Sequence, residues 1–434
     1  MKKFVTDIYN GKYFQEEDIA LRIPDCYWEW SLITLEPDIE KQTWLGLGGA
    51  FTESSNFNYF KLPKIKQQEF IDSYFRENGL NYQFGRIPIG SCDFSLNEYS
   101  YLDEANLNKF TIEKDHQTIL PLINDALKKK KISFLASPWS PPKFMKDNNS
   151  LTNGGILKKE YYKLYADYLI KYLKAYQKEK INIDYITIQN EPFAKQIWES
   201  CYYSLQGQQE FIYNFLIPSL KKENLKTKIF LWDHNKDRLF KNVKEIYQEK
   251  SEYIKGVAFH WYSGTYFENL ELVHNTYPEL LMFETECCTS FSEYDEKAWI
   301  IDACLYMNEI LGNINHGMNA FIDWNLLLDF NGGPNHANNF CKSPIILNQK
   351  EDDFIRTPIY YFLKHLSLIP PGSKVIFSSI YTNELITASF KSKEGKIYTI
   401  VLNPTNNQKE ICFMKDDYLM QDMIRKLSIH TYVY

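Results

Sequence analysis

Several features that mark whole classes of protein are missing from this sequence. No stretch approaches the roughly 18 consecutive apolar residues of a membrane-spanning helix, and residues 1–7 (MKKFVTD) lack the apolar run of a secretory leader. We therefore expect no membrane insertion and a cytoplasmic location. The 49 basic and 55 acidic side chains give a net charge of −6. This balance disfavours nucleic acid and anionic membrane surfaces as partners.

Signals for metal or redox chemistry are lacking as well. The motif HExxH and the closely paired Cys and His residues of structural zinc sites do not occur. None of the eight cysteines stands in a CxxC arrangement, and two of them, Cys287 and Cys288, are adjacent. These observations predict a reduced protein without a metal or another cofactor. The sequence leaves the oligomeric state open.

From residue 44 onward, β-like runs alternate with helical patterns, and eight candidate strands can be counted. The clearest helical pattern, at residues 161–176, places Tyr165, Tyr168, Tyr172 and Tyr176 on one stripe of a 3.6-residue period. Eight strand–helix alternations predict an α/β fold of the (β/α)8 barrel type, although a doubly wound sheet would produce several of them. The candidate strands span residues 44–51, 82–89, 132–139, 184–189, 228–232, 256–262, 280–286 and 321–326.

The two ends of the chain have a different pattern. After residues 370–372 (PPG) come short β-rich runs separated by turn residues, and a further β-like run lies at 27–35. We predict that residues 1–40 and 371–434 together form an antiparallel, β-sandwich-like domain, and that residues 41–370 form the barrel. The C-terminal runs span residues 374–380, 385–390, 396–402, 410–413 and 428–434.

Polar and aromatic side chains concentrate at the carboxyl ends of the predicted strands, where barrels of this type carry their active sites. Glu191 ends the fourth strand and Glu286 the seventh, so we expect them to face each other across the barrel mouth. Cleavage of a glycosidic bond requires two such groups, because one protonates the leaving oxygen and the other attacks the anomeric carbon or activates water. The other side chains at these strand ends are Arg86, Asp93, Trp139, Asn190, His260, Tyr262, Glu284 and Trp324.

The seventh strand offers two candidate carboxylates. Glu284 and Glu286 share one face of a regular strand, because side chains alternate with a period of two. Parity therefore does not separate them, and position favours Glu286, which lies nearer the rim. Glu284 is interpreted as an inner, supporting carboxylate.

The order of these motifs resembles glycoside hydrolase family 30, and most closely its glucosylceramidase (acid β-glucosidase) branch. The resemblance extends from about residue 25 to the C-terminus. The motifs that carry it are 47–53 (LGGAFTE), 86–88 (RIP), 91–95 (SCDFS), 136–139 (ASPW), 189–192 (QNEP), 260–262 (HWY), 323–326 (DWNL), 332–335 (GGPN) and 343–346 (SPII).

This resemblance implies a retaining hydrolase that works by double displacement, with Glu191 as acid/base and Glu286 as nucleophile. The family pattern has a small residue at the position of Glu284, which agrees with the choice of Glu286. Arg86, His260 and Tyr262 would support the glucosyl site. We also count His260 and Tyr262 among the substrate-binding residues. The side chains expected to hold the glucosyl unit are Asp93, Trp139, Asn190, Trp324 and Asn335.

Two physical expectations follow for the glutamate pair. Retention predicts a carboxyl separation of about 5–5.5 Å, against about 6.5–9.5 Å for inversion. The negative charge of Glu286 and partial desolvation should raise the pKa of Glu191.

The expected activity is hydrolysis of a terminal β-glucosyl unit from a β-linked glycoside. The alternatives that the sequence leaves open are a β-xylosidase, a β-fucosidase or a β-1,6-glucanase of the same family, and an inactive glycan-binding relative.

Overall fold

The structure is a computed structural model that describes residues 2–19, 31–248, 250–415 and 418–434. Residues 27–30, the first part of the β-like run predicted at 27–35, lie outside these ranges. The strands are β1 (Lys2–Asp7), β2 (Lys12–Asp18), β3 (Ser31–Thr43), β4 (Gly46–Ala50), β5 (Phe84–Ile89), β6 (Ser133–Pro138), β7 (Ile183–Ile186), β8 (Lys228–Asn235), β9 (Ile254–His260), β10 (Leu281–Glu286), β11 (Ala320–Asp323), β12 (Ile345–Leu347), β13 (Phe354–Arg356), β14 (Lys374–Ile380), β15 (Ile386–Lys391), β16 (Ile397–Asn403), β17 (Lys409–Lys415), β18 (Tyr418–Ile424) and β19 (Ser428–Val433). The α-helices are α1 (Glu53–Lys61), α2 (Lys64–Phe75), α3 (Asp115–Thr118), α4 (Leu120–Leu127), α5 (Tyr162–Lys178), α6 (Leu205–Phe211), α7 (Ile217–Lys222), α8 (Leu239–Ile246), α9 (Phe267–Thr276), α10 (Glu296–Asn315) and α11 (Pro358–Ser367).

Strands β4 to β11 close into a parallel barrel in the order β10-β11-β4-β5-β6-β7-β8-β9. This confirms the predicted (β/α)8 architecture, and each of the eight predicted strands overlaps one barrel strand. Aromatic side chains from different strands meet in the lower interior of the barrel. Phe283 of β10 lies 5.0 Å from Phe84 of β5 and 4.7 Å from Phe230 of β8, measured between ring centroids. A packed aromatic layer therefore fills the barrel beneath its polar mouth.

A second, nine-stranded sheet combines both ends of the chain in the order β18-β17-β3-β14-β15-β16-β19-β1-β2. Its neighbours are antiparallel except for β17 and β3, which run parallel. The predicted β-domain from both termini is thus confirmed. Strands β1, β2 and β18 had no counterpart among the predicted runs.

Helix α5 carries the tyrosine stripe that the sequence predicted, and Tyr165, Tyr168, Tyr172 and Tyr176 are all buried there. Their rings pack in series along the helix, with 5.7 Å between the centroids of Tyr165 and Tyr168 and 4.4 Å between those of Tyr172 and Tyr176. Among the helices of the described ranges, none combines the length and the hydropathy of a membrane span.

Gly312 provides a test of how tightly the outer helices pack. A methyl group at this position of α10 would overlap the ring of Phe267 at the start of α9. That ring is held between His316, at a centroid distance of 5.3 Å, and the ammonium group of Lys236, 4.6 Å away. We expect Gly312→Ala to lower the free energy of unfolding by about 1–2 kcal/mol, because overpacking outweighs the gain of about 1 kcal/mol in helix propensity.

The measurement is chemical denaturation of Gly312→Ala in the natural background and in a Phe267→Ala background. Without the Phe267 ring, the same substitution should become neutral or stabilising. A loss of stability of equal size in both backgrounds would contradict the assignment of the cost to this contact.

Candidate active site

The guanidinium group of Arg86, on β5, lies fully buried at the centre of the barrel mouth. Its Nη1 donates to Oε2 of Glu286 (2.5 Å), and its Nη2 donates to Oδ1 of Asn190 (2.7 Å) and to Oδ2 of Asp233 (3.0 Å). Burial alone would lower the pKa of Arg86, but the charges of Asp233 and Glu286 outweigh this effect and raise it. One permanently charged cation therefore joins strand ends from β5, β7, β8 and β10.

Asp233, near the end of β8, is the anionic partner of Arg86 beneath the cavity. Its carboxylate accepts hydrogen bonds from the hydroxyl groups of Thr187 (2.6 Å), Thr285 (2.7 Å) and Ser137 (2.8 Å). It also accepts one from Nε2 of His260 (3.0 Å). Burial raises the pKa of Asp233, but Arg86 and these donors hold it well below its usual range.

Glu286 stands at the end of β10, with its carboxylate between two donors. Besides the bond from Arg86, its Oε1 accepts a hydrogen bond from the Tyr262 hydroxyl at 3.1 Å. Glu286 is 8 % exposed and lines the cavity described below.

Glu284 lies on the other side of the barrel wall. Its Oε2 accepts a hydrogen bond of 2.9 Å from Asn313 of α10, and the side chain is fully buried. The expectation that Glu284 and Glu286 share one face is wrong, because the pairing of β10 with β9 shifts register between them. This irregularity, a β-bulge in effect, rotates one glutamate toward the helical layer and the other toward the barrel mouth.

Glu191 follows β7 with a left-handed backbone (φ 49°), and its N–H donates to the carbonyl of Asp233 at 2.9 Å. Its Oε1 lies 3.5 Å from Nδ1 of His234 and 3.6 Å from Nδ1 of His260. Burial raises the pKa of Glu191, but hydrogen bonding and positive charge from the two histidines outweigh it, so the net shift is downward. The expected upward shift is therefore wrong for the site without substrate, because the sequence did not reveal His234.

The pKa of His260 is shifted in the opposite direction. Burial lowers it, but the charge of Glu286 and the bonds to Asp233 and Glu191 raise it to about 9. The imidazole is fully buried and is fixed by Asp233 at one nitrogen.

Glu191 and Glu286 both border a cavity of about 300 Å³ at the barrel mouth. Most of the side chains singled out from the sequence line this cavity. Arg86 and His260 lie directly beneath it, and Glu284 lies behind the barrel wall. The lining residues are Asp93, Trp139, Asn190, Glu191, Gln196, Trp198, His234, Asn235, Tyr262, Glu286, Cys288, Ser290, Trp324, Asn339 and Cys341.

Two buried tryptophans form one wall of this cavity. The indole rings of Trp139 and Trp324 stack at a centroid distance of 5.2 Å with 17° between their planes. The Arg86 guanidinium lies 4.7 Å from the first ring and 5.5 Å from the second. Cation–π contacts of this kind hold the rings in place and leave an apolar surface against which a sugar can pack.

Asp93 and Asn339 form a polar part of the wall. The Asn339 amide donates to Oδ2 of Asp93 at 2.9 Å, whereas Oδ1 of Asp93 is buried and has no hydrogen-bond partner in the described part of the chain. Asn335, expected to hold the sugar, is absent from the lining residues. It instead exchanges two hydrogen bonds with the backbone of Asn339 (3.0 and 3.1 Å), which fix the turn that presents Asn339.

The residues at the end of β8 were missed. The apolar run that predicted the fifth barrel strand stops at Trp232, but the strand continues to Asn235. Trp232 and Asp233 have left-handed backbone angles (φ 76° and 62°), and the pairing with β9 shifts register there. The polar residues that follow the apolar run were the available signal.

The donor atoms of Glu191, His234 and His260 lie within 4.8 Å of one another, close enough to share a metal ion. No spacing motif predicted this group, because its members come from three different strand ends.

A closed parallel barrel with two carboxyl groups beside an aromatic-walled cavity at its mouth defines a glycoside hydrolase. The model of the glycosyl hydrolase family 30 TIM-barrel domain matches residues 45–369, and the chain belongs to this family.

Sequence relatives of this chain include two glucosylceramidases. Putative glucosylceramidase 3 of Caenorhabditis elegans is 34% identical over 398 residues, covering 86% of this chain and 76% of that protein. The lysosomal acid glucosylceramidase of Mus musculus is 31% identical over 428 residues, covering 93% and 83%.

Solved structures resemble the chain over its whole length. SrfJ from Salmonella typhimurium superposes with a TM-score of 0.94 at 31% identity, covering 100% of this chain and 99% of that chain. The endo-β1,6-glucanase BT3312 superposes with a TM-score of 0.88 at 28% identity, covering 100% and 98%.

The buried carboxyl group of Glu284 should make the stability of the protein depend on pH. Burial and the nearby charge of Glu309 raise its pKa to about 8, so the folded protein keeps a proton that the unfolded chain releases near its ordinary pKa of about 4.3. Because the folded state binds more protons in this window, its free energy of unfolding should fall as the pH rises from about 5 to 8. Glu284→Gln removes this contribution.

The measurement is the thermal midpoint of both proteins at pH 5, 6, 7 and 8. The natural protein should lose stability relative to Glu284→Gln over this range, whereas parallel curves would contradict a neutral Glu284. Glu284→Gln should also keep its turnover, since the side chain does not border the cavity.

Proposed function

We propose that this glycoside hydrolase releases a terminal β-glucosyl unit by double displacement, with Glu286 as nucleophile and Glu191 as acid/base. The observation that carries the proposal is the contrast between the surroundings of the two carboxyl groups beside one cavity. Glu286 is held by a guanidinium and a phenol, whereas Glu191 lies against two imidazoles. The two glucosylceramidase relatives support glucose as the sugar.

Glu286 is suited to attack the anomeric carbon as an anion. The Arg86 guanidinium and the Tyr262 hydroxyl each donate to one carboxylate oxygen, which fixes the orientation of the group. The Arg86 contact also places a positive charge beside the attacking carboxylate and holds that carboxylate in position for the reaction.

Glu191 first gives a proton to the departing oxygen and then takes one from water. Its pKa is lowered without substrate, so the carboxyl must gain its proton as the substrate binds. The side chain is 14% exposed, and an aglycone that covers this edge would remove solvent from the carboxylate. Desolvation favours the neutral acid, which is the form that the first step needs.

Asn190 and Asp93 provide polar contacts for the sugar. Oδ1 of Asn190 is occupied by Arg86, which turns the amide NH₂ group toward the cavity as a donor for the 2-hydroxyl. The buried Oδ1 of Asp93 is an acceptor for a sugar hydroxyl. Together with the faces of Trp139 and Trp324, these groups match the polar rim and apolar face of a pyranose.

A second candidate is an endo-acting β-1,6-glucanase. Endo-1,6-beta-D-glucanase of Neurospora crassa is 29% identical over 366 residues, covering 80% of this chain and 75% of that protein. Gln196 and Trp198, which follow the Glu191 strand end in the chain, line the cavity and offer an amide and an indole. An amide and an indole suit a sugar in the aglycone position no less than they suit a lipid.

The test is hydrolysis of p-nitrophenyl β-glucoside, β-xyloside, β-fucoside and β-galactoside, alongside a β-1,6-glucan. We expect the glucoside to be the fastest of the four. Glu286→Gln should reduce its turnover to background, and Glu191→Gln should reduce kcat by about 10²–10⁴-fold, the usual contribution of general acid catalysis. Glu284→Gln is the matched control and should stay active.

Each other outcome contradicts part of the proposal. Loss of turnover in Glu284→Gln with activity retained in Glu286→Gln would indicate that Glu284, and not Glu286, is the nucleophile. Hydrolysis of the glucan with no turnover of the monosaccharide glycosides would favour the endo-glucanase. Binding of glycans without any hydrolysis would identify an inactive relative.

A further inference from the structure

Glu191, His234 and His260 present three potential ligand atoms to one point beside the cavity. The Nδ1 atoms of both histidines are buried, and each approaches Oε1 of Glu191, at 3.5 Å for His234 and 3.6 Å for His260. Nε2 of His260 must donate its proton, because its partner Asp233 is a carboxylate held ionised by Arg86. The proton of His260 that a metal ion would displace is therefore the one on Nδ1, the nitrogen that faces Glu191.

Two of the distances between these atoms are close to the edge of a metal coordination tetrahedron. Bonds of about 2.1 Å from a central zinc ion give ligand-to-ligand distances of about 3.4 Å. Oε1 of Glu191 lies 3.5 Å from Nδ1 of His234 and 3.6 Å from Nδ1 of His260. All three atoms lie within 4.8 Å of one another. Asp233 behind His260 supplies the outer carboxylate that commonly orients a metal-binding histidine.

We propose that Glu191, His234 and His260 form a binding site for a divalent transition-metal ion of the zinc class, and that the bound ion inhibits the enzyme. Two imidazole nitrogens and one carboxylate oxygen suit Zn²⁺ or Co²⁺, whereas Mg²⁺ and Ca²⁺ prefer oxygen ligands alone. Glu191 and His234 border the cavity, so the fourth coordination position is open to water.

Inhibition follows from the identity of one ligand. A metal ion on the carboxylate of Glu191 competes with the proton that this group would give to the leaving oxygen. The binding site itself does not depend on the proposed function, but its inhibitory effect rests on Glu191 acting as acid/base.

A competing location for a soft ion lies in the same cavity. The sulfur atoms of Cys288 and Cys341 are 3.3 Å apart, and both side chains line the cavity. The contact with Cys341 and burial raise the pKa of Cys288, which disfavours the thiolate that would bind a metal. Variants of this pair separate the two locations experimentally.

The first experiment measures binding without reference to activity. Calorimetric titration of the natural protein with Zn²⁺ should give one ion per chain. Co²⁺ should give visible absorption bands without the near-ultraviolet band of a thiolate ligand. His234→Gln and Glu191→Gln should each weaken the affinity by at least about tenfold, the loss typical even of an outer-shell change.

Two variants serve as controls. His116→Gln removes a histidine of the protein surface that lies beside Glu179, and Cys288→Ser removes one thiol of the cavity. Both should bind Zn²⁺ as the natural protein does. Absence of binding, undiminished binding in His234→Gln, or loss of binding in Cys288→Ser would overturn the proposed site.

The second experiment follows hydrolysis of p-nitrophenyl β-glucoside as Zn²⁺ is added, with each variant compared with its own metal-free rate. Inhibition should be reversed by EDTA, should not occur with Mg²⁺, and should need at least about tenfold more Zn²⁺ in His234→Gln. Stoichiometric Zn²⁺ binding without inhibition would overturn the inhibitory part alone. A protein that binds Zn²⁺ but hydrolyses no glycoside would instead contradict the proposed function.

Discussion

The buried guanidinium of Arg86 is the group on which the rest of the site depends. It lies at the centre of the barrel mouth and bonds Glu286, Asn190 and Asp233, each from a different strand end. Breaking such a buried ion group by removing one partner costs about 3–5 kcal/mol, because a charge is then left uncompensated. The cation thus fixes the carboxylate of Glu286 and the orientation of Asn190 at once, and the stacked indoles beside it depend on the same charge.

The three glutamates of this region show how surroundings, rather than residue type, separate possible roles. Glu286 accepts hydrogen bonds from Arg86 and Tyr262, and Glu284 is buried against α10 with a pKa raised to about 8 by burial and by Glu309. Glu191 lies against His234 and His260, so its charge depends on those two imidazoles and on what covers the cavity. The same imidazoles give Glu191 the surroundings in which we propose that a transition-metal ion binds.

Much of the fold could be predicted from the sequence, because alternating strands and helices leave a hydrophobic periodicity that is visible residue by residue. The tyrosine face of α5 is an example. The positions of Glu191 and Glu286 followed from strand ends and from family resemblance. The bulge that separates Glu284 from Glu286 could not be predicted, since period-2 reasoning assumes a regular strand. Asp233 lay beyond the apolar run of β8. Whether Asn335 or Asn339 lines the cavity depends on the path of one loop. Strands β1 and β2 are rich in charged residues and lack the apolar alternation that would have predicted them.

In the proposed mechanism, Glu286 forms a covalent bond to the sugar while Glu191 exchanges the proton. The most direct test is incubation with a 2-deoxy-2-fluoro-β-glucoside that carries an activated leaving group, followed by proteolysis and mass spectrometry of the labelled peptide. We expect one sugar per chain on Glu286, and we expect hydrolysis of an ordinary β-glucoside to release β-glucose first. A label on Glu284 or Glu191, or no label together with release of α-glucose, would contradict it.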